Sequence, residues 1–325
     1  MDLTPLKTGQ HLKELLAQPF VPPAPLVDQF IYQGTTMMIA ADPGTGKSTI
    51  ALQIAASLSS GTKLFGKLDV VRPVPVYYLA METLWEEFQQ AREAMQEVCP
   101  IQEDNLWWDD EQVGLNILNP DHAARFFTRL KRWQAPKLII LDPLYMIVGG
   151  GLSKDEPASA CVRFLRVLKQ TFDCSLLILH HTHREKHDVE GKVVEERNPF
   201  YGSRWLEAFV HSAYHLKLRD EAHTGVILRN RKDRRKSCLP LLTLHYHPET
   251  MSCTLEEGQG ETLLDRMMIL LDQYRTDGRL TDAYQVQTVL KCSRQSVYNL
   301  LQYPEVKRRL ELVKQAGQKT VWKVH

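Results

Sequence analysis

The stretch that determines the fold is residues 35–49, Thr-Thr-Met-Met-Ile-Ala-Ala-Asp-Pro-Gly-Thr-Gly-Lys-Ser-Thr. It runs from a short apolar strand through a glycine-bearing loop into a predicted helix over residues 47–60. The pattern Gly-x-x-x-x-Gly-Lys-[Ser/Thr] between a strand and a helix directs backbone N–H groups at phosphate oxygens. Residues 41–48 therefore predict a nucleotide-phosphate cradle; the alternative is a glycine-rich turn without a ligand.

The positions of this loop carry different predicted roles. Lys47 neutralises phosphate oxygens from an expected surface position, and the Ser48 hydroxyl is predicted to ligate Mg²⁺. Ala41 replaces the first glycine of the pattern, which alanine tolerates where φ is negative. ATP contacts are predicted along the whole loop: Ala41, Asp42, Pro43, Gly44, Thr45, Gly46, Lys47, Ser48 and Thr49.

Two acidic residues follow predicted strands. Asp142 ends the apolar run 137–142 and is expected to be the second acidic residue near Mg²⁺. The alternative for Asp142 is a turn residue before a proline. Glu82 follows the strand 74–80, which we expect beside the P-loop strand, and there it would orient and deprotonate the attacking water. Its alternative role is that of an acid at a helix N-terminus, together with Glu86 and Glu87.

His181 ends a further apolar strand, residues 175–181, where its side chain can contact the γ-phosphate. Other histidines lie nearby, but residues 183–187 read His-Arg-Glu-Lys-His, which is not the His-Glu-x-x-His pattern of a zinc site. We therefore interpret His181 as a nucleotide contact and not as a metal ligand.

Apolar runs alternating with helical patterns predict an α/β fold with a mostly parallel sheet covered on both faces. The predicted strands are residues 35–40, 74–80, 137–142, 175–181, 212–219, 225–231, 239–246 and 252–256. The predicted helices are residues 47–60, 84–98, 121–133 with Asp121 as a cap, 156–170 and 203–210.

The predicted domain organisation has three parts. Residues 1–33 read as an arm or linker that contains the proline-rich segment 19–25. Residues 34–257 form the α/β domain, and a polar break leads to a small domain over residues 262–325. The small domain reads as a winged helix, with helices at 262–275, 282–290 and 294–302 and strands at 309–313 and 320–324.

The small domain carries more Lys and Arg than Asp and Glu, which favours contact with DNA. The helix beginning at residue 294 would present polar side chains to bases or phosphates, and the wing lysines would bind the backbone. The predicted DNA-binding residues are Arg294, Gln295, Tyr298, Asn299, Lys314 and Lys319. The alternative is a winged helix that docks onto a protein.

Composition limits the class of protein but does not identify its binding partner. Forty Lys and Arg against thirty-nine Asp and Glu give a net charge of +1, so any nucleic-acid surface must be local. Six scattered cysteines indicate reduced thiols in a cytoplasm. The sequence shows neither a signal peptide at its start nor an apolar run of about 18 residues, and we expect a soluble, cytoplasmic protein without membrane contact.

Several motifs together are more specific than any one of them. They are residues 42–48, Asp-Pro-Gly-Thr-Gly-Lys-Ser; 79–83, Leu-Ala-Met-Glu-Thr; 138–144, Leu-Ile-Ile-Leu-Asp-Pro-Leu; 177–184, Leu-Ile-Leu-His-His-Thr-His-Arg; and 201–206, Tyr-Gly-Ser-Arg-Trp-Leu. Over about residues 24–256 the chain closely resembles the RecA-like ATPases of the plasmid RepA hexameric helicase type, which are relatives of the DnaB-like replicative helicases.

The resemblance implies a RecA fold, Mg²⁺-dependent ATP hydrolysis at subunit interfaces, and a homo-oligomer, most simply a hexamer. It implies that Lys47 and Ser48 contact phosphate and Mg²⁺, that Glu82 is the catalytic base, Asp142 the second acidic residue and His181 the γ-phosphate sensor. It also implies single-stranded DNA bound by the loops 146–154 and 182–200.

The same resemblance does not identify the basic residue that would act on the nucleotide of a neighbouring subunit. The family places an arginine in the helix after Gly-Ser-Ser, whereas here Arg204 comes early and His211 occupies the expected position. Lys232 and Arg234 form a Lys-x-Arg pair of the kind used by DnaB-like and RecA-like proteins. The alternative for the pair is a solvated basic turn.

These features predict an ATP-hydrolysing DNA motor, a helicase or single-strand translocase of a plasmid, phage or mobile element. The alternative is a non-translocating ATP switch, that is, a regulatory or loader protein that binds DNA and protein partners. A strand-displacement assay discriminates between the two.

Overall fold

The computed structural model describes residues 23–110, 115–133, 135–149, 151–182, 186–187, 193–194, 204–220, 222–235, 237–256, 263–277, 280–290, 292, 297–298, 300–301, 303–314 and 320–324. The chain divides into two compact units, residues 1–257 and 258–325. Among the described residues, the first unit contains two buried apolar clusters and the second unit contains one.

The first unit is built around one large sheet. Its strands are β3 (Thr36–Ala41), β4 (Val76–Ala80), β5 (Leu106–Asp109), β6 (Leu138–Asp142), β7 (Ser175–His181), β10 (Ser212–Leu218), β11 (Gly225–Asp233), β12 (Leu241–His247) and β13 (Ser252–Leu255). Two small pairs complete the strands: β1 (Pro25–Val27) with β2 (Ile31–Tyr32), and β8 (Lys186–His187) with β9 (Val193–Val194).

The helices of this unit are α1 (Lys47–Ser60), α2 (Trp85–Met95), α3 (Pro120–Lys131), α4 (Asp155–Phe172) and α5 (Arg204–Phe209). Two 3₁₀ turns lie at Glu103–Asn105 and Leu144–Ile147. The helix starts and ends differ from the predicted ones by a few residues, as expected for helix termini that fray.

The sheet order is β13-β12-β11-β10-β3-β7-β6-β4-β5. The strands from β10 to β5 in this order pair in parallel, and β11 to β13 extend the sheet as antiparallel strands. Apolar side chains from both faces of the parallel strands are buried, with α1 and α2 on one face and α3, α4 and α5 on the other. The predicted α/β class with a mostly parallel sheet is confirmed.

One predicted neighbour relation is wrong. β4 was expected beside the P-loop strand β3, but β7 and β6 lie between them. In parallel sheets each crossover helix can carry the chain past several strand positions, so strand order does not follow chain order. Glu82 therefore approaches the site from beside β6.

The segment predicted to be an arm is, from residue 23 onward, part of the core. Leu26, Val27, Phe30 and Ile31 are all at most 2% exposed. The Phe30 ring meets the rings of Phe65 and Tyr214 at centroid distances of 6.3 and 5.2 Å. Pro25 is the first residue of β1, a strand position at which proline is tolerated. The part of the arm before residue 23 lies outside the described residues.

The cap of α3 also differs from the prediction. Asn119 accepts hydrogen bonds from the backbone N–H groups of Asp121 and His122 at 2.9 and 3.4 Å. Pro120 occupies the first helical position, where its missing N–H costs nothing. Asn119 is therefore the cap, and Asp121 lies in the first turn.

A buried glutamine of α1 bonds to the outermost strand. The Gln53 side-chain amide donates to the carbonyl of Cys253, and its oxygen accepts from the Cys253 N–H, both at 2.8 Å. Cys253 lies in β13, the strand at one end of the sheet order. This residue pair thus joins the helix after the P-loop to the end of the sheet.

The second unit contains three described helices and a small antiparallel sheet. The helices are α6 (Leu263–Asp277), α7 (Ala283–Leu290) and α8 (Pro304–Arg308), and the strands are β14 (Leu280–Asp282), β15 (Leu310–Lys314) and β16 (Thr320–Val324) in the order β14-β16-β15. β14 and α8 were not predicted. Most of the predicted helix 294–302 lies outside the described residues, and the winged helix stays a prediction.

None of the described helices is both long enough and apolar enough to cross a membrane.

Replacing Phe30 with Ala is expected to lower the free energy of unfolding by about 3–5 kcal/mol, because it empties a fully buried aromatic site. Urea unfolding measures this change. The nearby Val71→Ala is the control, since Val71 is 58% exposed and its truncation should be nearly neutral. If Phe30→Ala left the free energy of unfolding unchanged, the interpretation of this segment as an arm or linker would be restored.

Candidate functional site

The loop between β3 and α1 has the backbone of an open cradle. Gly44 and Gly46 adopt φ values of 75° and 89°, which favour glycine over residues with a side chain. Among the described residues, a Cβ added at either glycine would meet nothing within 4 Å, so φ and not crowding imposes glycine here. Ala41 lies within β3 and is extended, which explains why alanine fits in place of the first glycine.

Lys47 is buried, contrary to the expected surface position. Its side chain is 8% exposed, and Nζ donates to the carbonyls of Ala41 and Asp42 at 3.1 and 2.9 Å. Burial lowers the pKa of this ammonium group, and the carboxylates of Asp142, Glu82 and Asp42 oppose that shift. The lysine is packed against its own loop because those carbonyl oxygens satisfy its charge.

Asp142 meets the start of α1 at the end of β6. It is 2% exposed and accepts hydrogen bonds from the Tyr78 hydroxyl at 2.6 Å and from the Ser48 hydroxyl. Burial raises the pKa of Asp142, while these two donors and Lys47 counteract that shift. A carboxylate beside a serine hydroxyl at a P-loop is an oxygen-rich donor set that suits Mg²⁺.

Tyr145 contacts both Glu82 and His181. The Tyr145 hydroxyl donates to Glu82 Oε1, and its ring centroid lies 4.8 Å from that of His181. Burial and the adjacent Glu82 raise the pKa of Tyr145 to about 12, so its hydroxyl stays protonated and donates. The role of a helix-terminal acid belongs to Glu87, whose carboxylate accepts from the Leu84 N–H at 3.0 Å.

His181 is level with Ala41 on the neighbouring strand and lies close to Lys47. Burial, followed by the charge of Lys47, lowers the pKa of His181, which favours the neutral imidazole. The next residue, Thr182, donates its hydroxyl to Asp42 Oδ1. The ends of β3 and β7 are therefore tied together next to the loop.

The predicted trans-acting residues lie elsewhere. Lys232 pairs with Ala213 near the amino end of β10, whereas the P-loop follows the carboxyl end of β3. Lys232 Nζ donates to the Glu207 carbonyl, and Arg234 donates to the Ala208 carbonyl, both in the last turn of α5. The structure does not bring this pair to the cradle of its own chain, and Arg204 begins α5.

His211 has a structural role at the position where an arginine was expected. Its Nδ1 accepts from the Thr36 N–H at 3.1 Å, and its backbone N–H donates to the Thr36 carbonyl at 2.8 Å. Burial lowers the pKa of His211 to about 4, and four nearby cations add to the shift: Lys169, Arg234, Arg235 and Lys232. The neutral ring therefore anchors the first residue of β3.

The predicted DNA contacts are only partly described. Tyr298 is 42% exposed and Lys314 ends β15. Arg294, Gln295, Asn299 and Lys319 lie outside the described residues, as does most of the loop 182–200. Lys154, from the other predicted DNA loop, immediately precedes α4.

A family model described as an AAA domain matches residues 4–187, which is more than half of the chain. The chain belongs to this AAA domain family. No curated protein matches it in sequence. Among solved structures it is similar to a KaiC-like protein from the hyperthermophilic archaeon Pyrococcus horikoshii, with 14% identity and a TM-score of 0.48 over 72% of this chain and 100% of that one.

The AAA domain carries its P-loop between β3 and α1. Its P-loop strand β3 lies between β10 and β7, and the acidic residue Asp142 ends the next strand, β6. The family and the site geometry together support nucleotide binding and an ATP-driven activity.

Sequence reasoning missed three hydroxyl groups of this site: those of Tyr78, Tyr145 and Thr182. Tyr78 carried a usable signal, since a tyrosine inside a fully buried strand needs a hydrogen-bond partner. Tyr145 and Thr182 follow strand ends, and nothing local distinguishes them from ordinary loop residues.

Acid should weaken the fold through His211. Its folded pKa lies below the ordinary value, so the unfolded state binds the proton first, and stability falls as the pH drops from about 6.5 toward about 4. In His211→Asn an uncharged oxygen can replace Nδ1 as the acceptor. The stability advantage of wild type over this variant should shrink between about pH 7.5 and about pH 5 in urea unfolding.

The exposed His223 provides the control, as His223→Asn keeps a residue that tolerates its positive φ of 55°. A wild-type advantage over His211→Asn that does not change with pH would contradict the assigned role of His211.

Proposed function

We propose that this AAA domain protein is an oligomeric, DNA-associated ATPase motor, a helicase or translocase of a plasmid, phage or mobile element. The observation that carries the ATPase part of the proposal is the convergence of Lys47, Asp142, Glu82 and His181 at the carboxyl ends of the parallel strands, and the DNA motor rests on the sequence resemblance. A cation for phosphate, a carboxylate for metal, a second carboxylate for water and a neutral imidazole are the groups that ATP hydrolysis requires.

In this proposal the residues divide the work. Lys47 exchanges the Ala41 and Asp42 carbonyls for phosphate oxygens, and the N–H groups that begin α1 bind the same phosphates. Glu82 accepts the proton of the attacking water. His181 contacts the γ-phosphate. When hydrolysis removes this phosphate, Thr182 transmits the change to the following loop.

Ser48 and Asp142 would hold Mg²⁺, Ser48 through its hydroxyl and Asp142 through its carboxylate. When bound, the ion neutralises charge on the β- and γ-phosphate oxygens.

The positions of the basic candidates are what supports an oligomer in this proposal. Lys232 and Arg234 lie beside the amino end of β10, away from their own cradle, and we propose that they serve the nucleotide of a neighbouring subunit. Arg204 remains the rival for this role. We propose a closed homo-oligomer, most simply a hexamer, in which single-stranded DNA contacts the loops 146–154 and 182–200.

The alternative function is a non-translocating ATP switch that regulates or loads partners on DNA. ATP turnover with and without single-stranded DNA, combined with strand displacement, tests the motor. DNA-stimulated turnover with unwinding or translocation supports it. Slow turnover that DNA does not stimulate, with no displaced strand, favours the switch.

Glu82→Gln is expected to keep ATP affinity and to lower turnover by about 10²-fold or more, because an amide cannot accept the proton from water. Equilibrium ATP binding and phosphate release measure the two effects. Glu86→Gln is the matched control, an exposed acid in the first turn of α2. Loss of ATP binding in Glu82→Gln, or equal loss of turnover in the control, would make Glu82 structural.

We also propose that the second unit binds duplex DNA through Arg294, Gln295, Tyr298 and Asn299, with Lys314 and Lys319 on the backbone. This rests on the winged-helix pattern and on the excess of basic residues in the sequence. Docking onto a protein is its alternative.

Arg294→Ala combined with Tyr298→Ala should weaken duplex binding by about 1–3 kcal/mol for each base that is no longer bound, and it should flatten the salt dependence of binding. Fluorescence anisotropy at several salt concentrations measures both quantities. Tyr284→Ala serves as the control, since Tyr284 is 71% exposed and is not among the predicted contacts. Unchanged duplex affinity in the double variant would assign the unit to protein docking.

A further inference from the structure

Two adjacent tyrosines of β4 make equivalent bonds on opposite faces of the sheet. Tyr78 donates to Asp142 Oδ2 at 2.6 Å, and Tyr77 donates to Asp109 Oδ2. Both rings are at most 1% exposed. The two bonds have the same placement in the strand register, but only one of them reaches the nucleotide site.

The register explains the likeness. Tyr78 is level with Ile140 on β6, and Asp142 lies two residues further along the same face. Tyr77 is level with Trp107 on β5, and Asp109 again lies two residues further. Each tyrosine thus reaches diagonally to the aspartate that ends a neighbouring strand.

The charge environments of the two aspartates differ. Asp109 pairs with Arg129, whose Nη1 lies 2.7 and 2.8 Å from the two carboxylate oxygens. Within the described part of the chain, the donors to Asp142 are instead the hydroxyls of Tyr78 and Ser48, with Lys47 nearby. Tyr78 therefore has a larger share in fixing its aspartate than Tyr77 has.

Stacked rings hold Tyr78 in place. The Tyr78 ring lies 4.9 Å from that of Trp108 at 25°, and the Trp108 ring lies 4.1 Å from that of Phe88 at 28°. The hydroxyl of a tyrosine lies on the axis of its ring, so a fixed ring fixes the direction of its hydrogen bond. This stack makes the bond to Asp142 a rigid constraint.

We propose that Tyr78 is the positioning residue for the metal-binding carboxylate of this ATPase. Its hydroxyl donates to Oδ2 and thereby orients the Asp142 carboxylate. The remaining lone pairs of that carboxylate and the Ser48 hydroxyl would then be fixed in position for Mg²⁺. Mg²⁺ demands near-ideal octahedral geometry, and a hydrogen bond to a ligating carboxylate is the usual means of fixing it. The inference rests on the proposed function, because it assumes that the chain binds Mg²⁺ with ATP.

The test compares Tyr78→Phe with Tyr77→Phe in the full-length chain. ATP binding is measured calorimetrically across a MgCl₂ series and again in EDTA. Tyr78→Phe should raise the Mg²⁺ concentration for half-maximal binding by about ten- to a hundredfold. Its affinity for ATP in EDTA should equal that of wild type, which also shows that the variant is folded. Tyr77→Phe should leave both quantities unchanged.

A second arm separates positioning from simple packing. In the Asp142→Asn background, Tyr78→Phe should no longer change the Mg²⁺ dependence, because the carboxylate that it orients is gone. Equal loss of ATP binding with and without Mg²⁺, an unchanged Mg²⁺ midpoint, or an equal shift in Tyr77→Phe would each overturn the role of Tyr78. A wild-type chain that binds no ATP in the presence of Mg²⁺ would instead overturn the proposed function itself.

Discussion

The ammonium group of Lys47 is the charge around which the carboxyl edge of the sheet is organised. A buried cation is costly unless oxygens surround it, and here two carbonyls bond to it while three carboxylates lie near: Asp42, Asp142 and Glu82. Each carboxylate is held by a hydroxyl donor from another segment, namely Thr182, Tyr78 and Tyr145 respectively. The carboxylates of the site are therefore held in place by hydroxyl groups of the chain itself.

Parallel pairing makes this arrangement possible. Because β3, β6, β7 and β4 all run the same way, the residues that follow them meet at one edge. The same geometry separates Lys232 and Arg234 from these acidic residues. Because β11 runs antiparallel to β10, it ends beside the amino end of β10. One sheet thus places the acidic residues at the carboxyl ends of the parallel strands and the basic pair beside their amino ends.

Local patterns allowed the P-loop, the alternating strands and the α/β class to be predicted from the sequence. They did not reveal sheet order, so β4 was placed beside β3, because no local signal records how many strands a crossover passes. The hairpin Pro25–Tyr32 was missed because its strands are too short for a period and because prolines lie immediately before and at the start of the first strand. Tyr145 and the burial of Lys47 depend on contacts across the fold, which spacing does not encode.

The bond pair between Gln53 and Cys253 bears on how the chain behaves in a crowded solution. β13 lies at one end of the sheet order, where an outward-facing N–H and C=O would offer a template for another extended chain. The Gln53 amide supplies the donor and acceptor that such a chain would bring, and it does so from inside the helix that follows the P-loop. Resistance to edge-to-edge aggregation is thereby built into the same helix that begins at the phosphate cradle.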